Sequence, residues 1–261
     1  MTIVVVNKNS PRKKKRRTAK RAPRKRKESD ITDQFKTEYK KNFDCSNITI
    51  KKQLPLTDNQ TSFYFLSQDD RTNMIFLDGP AGSAKSYIAV YSALELLKER
   101  KVDKIIYIRT VIESASRSMG YLKGDENEKF AAYTMVLNEK CLETIDKQTY
   151  TALTEQEYIK AIPVNFARGL TFNNSLVIFD EAQNATRSEL TTILTRFGRN
   201  TRYLILGDAK QTDIKDSGFM DVLNKFDTDF SRKNNIYCVH FDTSDIVRSP
   251  ILKHITQVLG V

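Results

Sequence analysis

The chain has no tryptophan, three cysteines, two histidines and six prolines among its 261 residues. Each shortage closes off a class. Cys45, Cys141 and Cys238 are odd in number, far apart and form no C-x-x-C pair. They suit reduced thiols in a cytosolic compartment, not a disulfide framework. With only His240 and His254 beside them, a zinc set lacks donors, and no metal site of protein ligands alone is expected. No apolar run approaches the roughly 18 residues a membrane span needs. Met1–Val6 puts its apolar residues ahead of the positive cluster, the reverse of a secretory signal. A soluble protein without membrane contact is expected.

Charge is unevenly spread. The formal net charge is +11, from 43 Lys and Arg against 32 Asp and Glu. Residues 1–30 hold 13 of the cations against Glu28 and Asp30, so the other 231 residues balance at 30 against 30. Twelve of those cations lie between Arg12 and Lys27, beginning Arg12-Lys13-Lys14-Lys15-Arg16-Arg17. Pro11 and Pro23 interrupt the block, and its few apolar groups cannot offset the entropy of ordering it. Residues 1–30 are therefore expected to be a disordered basic tail that binds nucleic-acid phosphates nonspecifically. A nuclear-import signal is the alternative reading. Residues 31–261 are expected to form one domain, since 39% hydrophobic content excludes global disorder.

Short unbroken apolar runs occur at Met74–Leu77, Ile105–Ile108, Leu176–Phe179, Tyr203–Leu206 and Ile236–Phe241. Runs of that kind fit strands buried on both faces of a mainly parallel sheet. Leu190, Ile193, Leu194 and Phe197 repeat at helical spacing, with a Thr186–Glu189 capping box and Gly198 to close the end. Phe219, Val222, Leu223 and Phe226 repeat the pattern, and Ser249-Pro250 opens a last helix. Alternating elements predict a doubly wound α/β fold. A segment from about Tyr121 to Tyr150, with Phe130, Tyr133, Leu137, Cys141 and Ile145 at helical spacing, is expected as a helical insert.

The first strand leads into Gly79-Pro80-Ala81-Gly82-Ser83-Ala84-Lys85-Ser86. The phosphate-loop pattern G-x-x-x-x-G-K-[ST] cradles phosphates on backbone N–H groups, brings a Lys to the terminal phosphates and a hydroxyl to Mg2+. Ala84 stands at the second glycine. A carboxylate should end another strand, and Leu176–Phe179 runs into Asp180 for the metal and Glu181 for the attacking water. Gln211, after Leu206-Gly207-Asp208, is a candidate γ-phosphate sensor. Gln60 has an amide able to read an adenine edge. Arg248 is a candidate arginine finger, with a surface ion pair to Asp245 as the alternative.

In this order the motifs resemble the PhoH family, whose core is similar to the ATPase core of superfamily 1 helicases. The matching stretches run from Pro55–Gln60 through Gly79–Ser86, Gly120–Asp125, Asn165–Thr171, Asp180–Asn184, Leu194–Gly198 and Gly207–Gln211 to Asp245–Pro250. The resemblance implies a RecA-like P-loop NTPase that binds and hydrolyses ATP with Mg2+. It also implies RNA-linked work and a homo-oligomeric ring, with a hexamer as one expected form. It adds Gln183 as a coupling residue and Arg168 and Arg196 as intersubunit contacts. Ala84 departs from the glycine expected in the family, which bears on turnover more than on binding. Together these readings predict an ATPase coupled to RNA or single-stranded DNA, through the tail and a ring pore, in the cytoplasm of a bacterium or phage-infected host. A nucleotide-gated assembly factor, or a nucleic-acid scaffold with slow ATPase activity, is the alternative. Duplex unwinding is not implied by one RecA-like core.

Overall fold

Each of the five unbroken apolar runs becomes a strand, and a sixth joins them. The computed structural model describes residues 43–51, 56–110, 126–247 and 249–259. Its strands are β1 (Met74–Asp78), β2 (Lys104–Arg109), β3 (Ile159–Pro163), β4 (Ser175–Asp180), β5 (Arg202–Gly207) and β6 (Ile236–His240). They form a sheet in the order β3-β2-β4-β5-β1-β6. Every neighbouring pair is parallel. The helices are α1 (Asp58–Gln68), α2 (Lys85–Lys98), α3 (Glu126–Thr144), α4 (Lys147–Glu155), α5 (Arg187–Leu194), α6 (Phe219–Phe226), α7 (Asp229–Lys233) and α8 (Pro250–Leu259).

Alternate residues of the central strands enter two separate cores. Ile75, Leu77, Tyr107, Ile178, Leu204 and Leu206 pack with α1, α2 and the end of α3 on one face. Phe76, Ile108, Phe179, Ile205, Phe219 and Leu223 fill the other. A one-residue slip would exchange the two sets, so both cores specify the register. This is a doubly wound α/β architecture with an all-parallel sheet. Because all six strands run the same way, the turns after β1, β4 and β5 gather at one edge. Ligands bind at that carboxyl edge in open α/β sheets.

Several local expectations change. β3 has no counterpart among the apolar runs, because exposed Lys160 and terminal Pro163 break the pattern. Its place at the sheet edge explains both residues, since a proline is tolerated there and one side meets solvent. β6 is the opposite edge and is only half-buried, not covered on both faces. The Thr186–Glu189 capping box is present, but α5 ends at Leu194. Gly198 is not its cap. A Cβ there would lie 1.8 Å from the Phe172 carbonyl oxygen, so the glycine serves a backbone contact. Phe197 lies beyond the helix and sets its ring edge-on to Tyr203 at 5.2 Å. The expected insert is α3 followed by α4, and Leu137, Cys141 and Ile145 are core residues. Residues 111–125, including the Gly120–Asp125 motif, lie outside the described residues, as do 1–42 with the basic tail.

Candidate active site

The loop between β1 and α2 closes on itself through named groups. Gly79 donates its N–H to the Gly207 carbonyl at 3.2 Å. A Cβ on Gly79 would fall 2.6 Å from that of Phe241, so no larger residue fits. Ser83 is buried and donates its hydroxyl to the Pro80 carbonyl at 2.7 Å. Ala81, at the tip, is exposed, and Gly82 is left-handed at φ 82°. Ala84 is the N-cap of α2 and is also left-handed, at φ 62° and ψ 21°. That backbone region is the reason glycine is the usual residue there. Lys85 opens the helix, and its ammonium donates to the carbonyls of Gly79 at 2.5 Å and Pro80 at 2.9 Å. Burial lowers its pKa, while the charges of Asp208, Asp180, Glu181 and Asp78 act to raise it. A half-buried cation at a helix N-terminus is arranged for an anionic ligand.

Ser86 and Asp180 meet across β5. The Ser86 hydroxyl lies 3.0 and 2.9 Å from the two Asp180 oxygens. Asp180 is 3% exposed. It also accepts from the Glu181 N–H at 3.0 Å and from the Tyr107 hydroxyl at 2.5 Å. Burial, then the Asp180 charge, raises the Tyr107 pKa far above that of an ordinary phenol, so it remains a donor. A hydroxyl beside a carboxylate is a hard-oxygen pair that fits Mg2+, with the remaining ligands coming from phosphates and water. Asp208 adds a second fit: its Oδ2 is buried without a partner among the described residues.

Glu181 adopts a left-handed backbone at φ 55°, which turns its side chain out of the strand line. One carboxylate oxygen accepts from Gln183 Nε2 at 2.7 Å and the other faces Arg109 at 3.3 Å. The Gln183 side-chain Oε1 in turn accepts from the Asp208 N–H at 3.1 Å. Gln183 thus bridges the ends of β4 and β5. Gln211 follows on the same turn, half-buried, with its N–H on the Asp208 carbonyl. Arg168 is exposed beyond β3. Arg196 is half-buried and donates to the Thr192 carbonyl and the Thr195 hydroxyl, both at 3.3 Å. Neither arginine is joined to the phosphate loop by a described hydrogen bond or ion pair.

Gln60 requires a correction. It is fully buried, and both hydrogens of its amide go to backbone carbonyls, Ser83 at 3.1 Å and Asp245 at 2.9 Å. Its oxygen accepts from the Thr57 N–H at 3.1 Å, completing the capping box of α1. Bidentate pairing with adenine needs a free N–H donor, and none is left. Gln60 ties the phosphate loop to the segment before α8 instead. Asp245 is likewise no surface partner for an arginine: it is fully buried and accepts from Thr57, Asn59 and the Asp242 N–H. Arg248 lies outside the described residues, as do Arg12, Lys13, Lys14, Lys15, Arg16 and Arg17.

Tyr107 and Arg109 carry no motif that marks them from sequence. The available signal is a tyrosine inside an isoleucine run, since a buried phenol needs an acceptor.

The family model described as "PhoH-like protein" matches residues 53–260. Protein PhoH of Escherichia coli (strain K12) is 33% identical over 201 residues, covering 75% of this chain and 55% of that protein. A PhoH-like protein of Bacillus subtilis (strain 168) is 33% identical over 187 residues, covering 72% and 58%. The chain therefore spans little more than half the length of these relatives. Among solved structures, the large terminase of a thermophilic bacteriophage is similar in fold, with TM-score 0.50 and 11% identity over 78% of this chain and 50% of that one. Among the described residues, no helix is long and apolar enough to cross a membrane.

Proposed function

Because the chain belongs to the PhoH family, we propose that it binds ATP with Mg2+ on Gly79–Ser86 and Asp180 and hydrolyses it in support of work on nucleic acid. The observation that carries this reading is the meeting of Ser86 with Asp180 at 2.9–3.0 Å beside half-buried Lys85. The loop N–H groups and the N-terminus of α2 receive the phosphates. Lys85 exchanges its two loop carbonyls for phosphate oxygens, which give the amine directly bonded anionic partners. Ser86 and Asp180 hold Mg2+, which when bound offsets the charge of the phosphates. Glu181 orients and deprotonates the attacking water, and Gln211 senses the terminal phosphate. Gln183 couples the two by linking Glu181 to the Asp208 turn.

Nucleic-acid coupling rests on the family and on the cationic residues 1–30, with RNA the preferred substrate. A homo-oligomeric ring, with Arg168, Arg196 or Arg248 reaching a neighbouring site, belongs to the same proposal. One observation favours a slower, nucleotide-gated role: both Glu181 oxygens are engaged, by Arg109 and by Gln183. Steady-state ATPase assays with and without RNA or single-stranded DNA separate the two, since only the coupled enzyme accelerates.

The site itself is tested by two substitutions. Lys85→Ala should weaken nucleotide binding and abolish hydrolysis, because the amine acts on ground-state phosphate charge. Glu181→Gln should bind nucleotide normally and stall, because the carboxylate acts on the water. A Glu181→Gln protein that turns over at the unaltered rate rules out Glu181 as the base.

A further inference from the structure

We propose that Tyr107 is a positioning residue for Mg2+, acting by locking the carboxylate of Asp180 in the orientation that faces Ser86. The inference rests on the ATPase reading and deepens it. Tyr107 lies on β2, the strand beside β4, paired with Ile178. Asp180 is two residues further along β4, on the same face of the sheet. The reach of a tyrosine spans that offset, and its hydroxyl arrives 2.5 Å from Asp180 Oδ2. A phenylalanine would fill the same space, so the hydroxyl contributes a hydrogen bond and not volume.

The carboxylate is buried and its donors come from three elements: Tyr107 on β2, Ser86 on α2 and the Glu181 N–H after β4. When Mg2+ binds, the Ser86 hydroxyl also gives a lone pair to the metal, so its orientation is no longer set by Asp180 alone. The Tyr107 hydroxyl is the side-chain donor in this set that holds Oδ2 with no second duty to the metal. Without it, the fixed hold on the carboxylate comes mainly from the Glu181 N–H on Oδ1, and Oδ2 is less firmly oriented. Removing such an outer partner of a metal ligand lowers metal affinity by about 10–100-fold.

The test uses the full chain and mant-ADP, a fluorescent nucleotide. Its affinity is measured first in EDTA and then across a Mg2+ titration. Tyr107→Phe should raise the Mg2+ concentration for half-maximal tightening by about 10-fold or more. Affinity in EDTA should stay within about twofold, since the phosphate cradle itself is intact. Tyr203→Phe is the structural control. Tyr203 is equally buried, on β5, and donates to the Ile193 carbonyl at 3.0 Å, far from Asp180 in the hydrogen-bond network. It should lose comparable stability without shifting the Mg2+ midpoint. An unmoved midpoint in Tyr107→Phe, or the same shift in both variants, overturns the proposal. If the unaltered protein binds no mant-ADP, the nucleotide reading fails and takes this inference with it; binding with no Mg2+ dependence overturns this inference alone.

Discussion

A methyl group at position 84 occupies a left-handed backbone turn, and the loop tolerates it. Left-handed geometry costs a Cβ-bearing residue about 1–2 kcal/mol. Against this, the Ala84 methyl packs on the inner core, and glycine would add unfolded-state entropy worth about 0.4–1 kcal/mol. Burial of one methyl is worth up to about 0.8 kcal/mol. These terms nearly cancel. Ala84→Gly should therefore change unfolding free energy by less than about 1 kcal/mol in urea titrations, on this balance. A loss well beyond that would mean the methyl is a packing requirement and not an accommodated departure. Glu181 carries the same kind of strain, and its side chain is held by Arg109 and Gln183. Strained residues of this sort cluster where a side chain must be aimed. Both residues are readable as site members. Their backbone conformation is not, because nothing local in either segment demands a left-handed turn.

At the scale of elements, the return from β3 to β4 is pinned against the end of α5. Phe172 donates its N–H to the Arg196 carbonyl at 3.0 Å, and Asn174 to that of Arg199 at 2.9 Å. Gly198 sits within this contact, where an added Cβ would meet the Phe172 carbonyl oxygen at 1.8 Å and the Asn173 side-chain oxygen at 2.4 Å. Backbone cannot yield as a flexible side chain can. Gly198→Ala should thus lower stability by about 1–3 kcal/mol or more, read as a fall in the denaturant midpoint. An unchanged midpoint would show that the loop yields freely. Helix signals are legible where periodicity and caps agree, as at Thr186–Glu189 and Phe219–Phe226. α1 escapes the sequence reading although its Thr57–Gln60 box is written in the chain, because Gln60 reads equally as a ligand contact. A glutamine three residues after a threonine serves a helix start as readily as a base edge.

For the whole molecule, the charge count separates the two parts of the proposed function. Residues 31–261 are neutral by formal charge, and the full excess of +11 lies in residues 1–30. Deleting 1–30 should leave nucleotide binding intact, since the loop, Asp180 and Glu181 all lie beyond residue 42. Affinity for single-stranded RNA at low salt should drop sharply. The slope of log affinity against log salt should flatten in proportion to the number of phosphates no longer neutralised. Filter binding or fluorescence anisotropy across a salt series measures both. An unaltered slope would assign phosphate binding to the folded part of the chain and leave the basic segment a docking or targeting role.

Apolar runs, the phosphate-loop spacing and the Asp180-Glu181 pair specified by themselves a parallel α/β sheet with the proposed phosphate loop at its carboxyl edge. That information is local: strand propensity, helix caps and loop chemistry are each written within a few neighbouring residues. Tertiary structure decided what local pattern cannot express. It placed β5 between β1 and β4, so that Ser86 and Asp180 meet across 94 positions of sequence. It withdrew Gln60 from any ligand by committing both its donors to backbone carbonyls. It also brought Tyr107, a residue of β2 with no motif around it, onto the carboxylate. Hydrogen-bond partners distant in sequence depend on strand order and register, which only the packed sheet supplies.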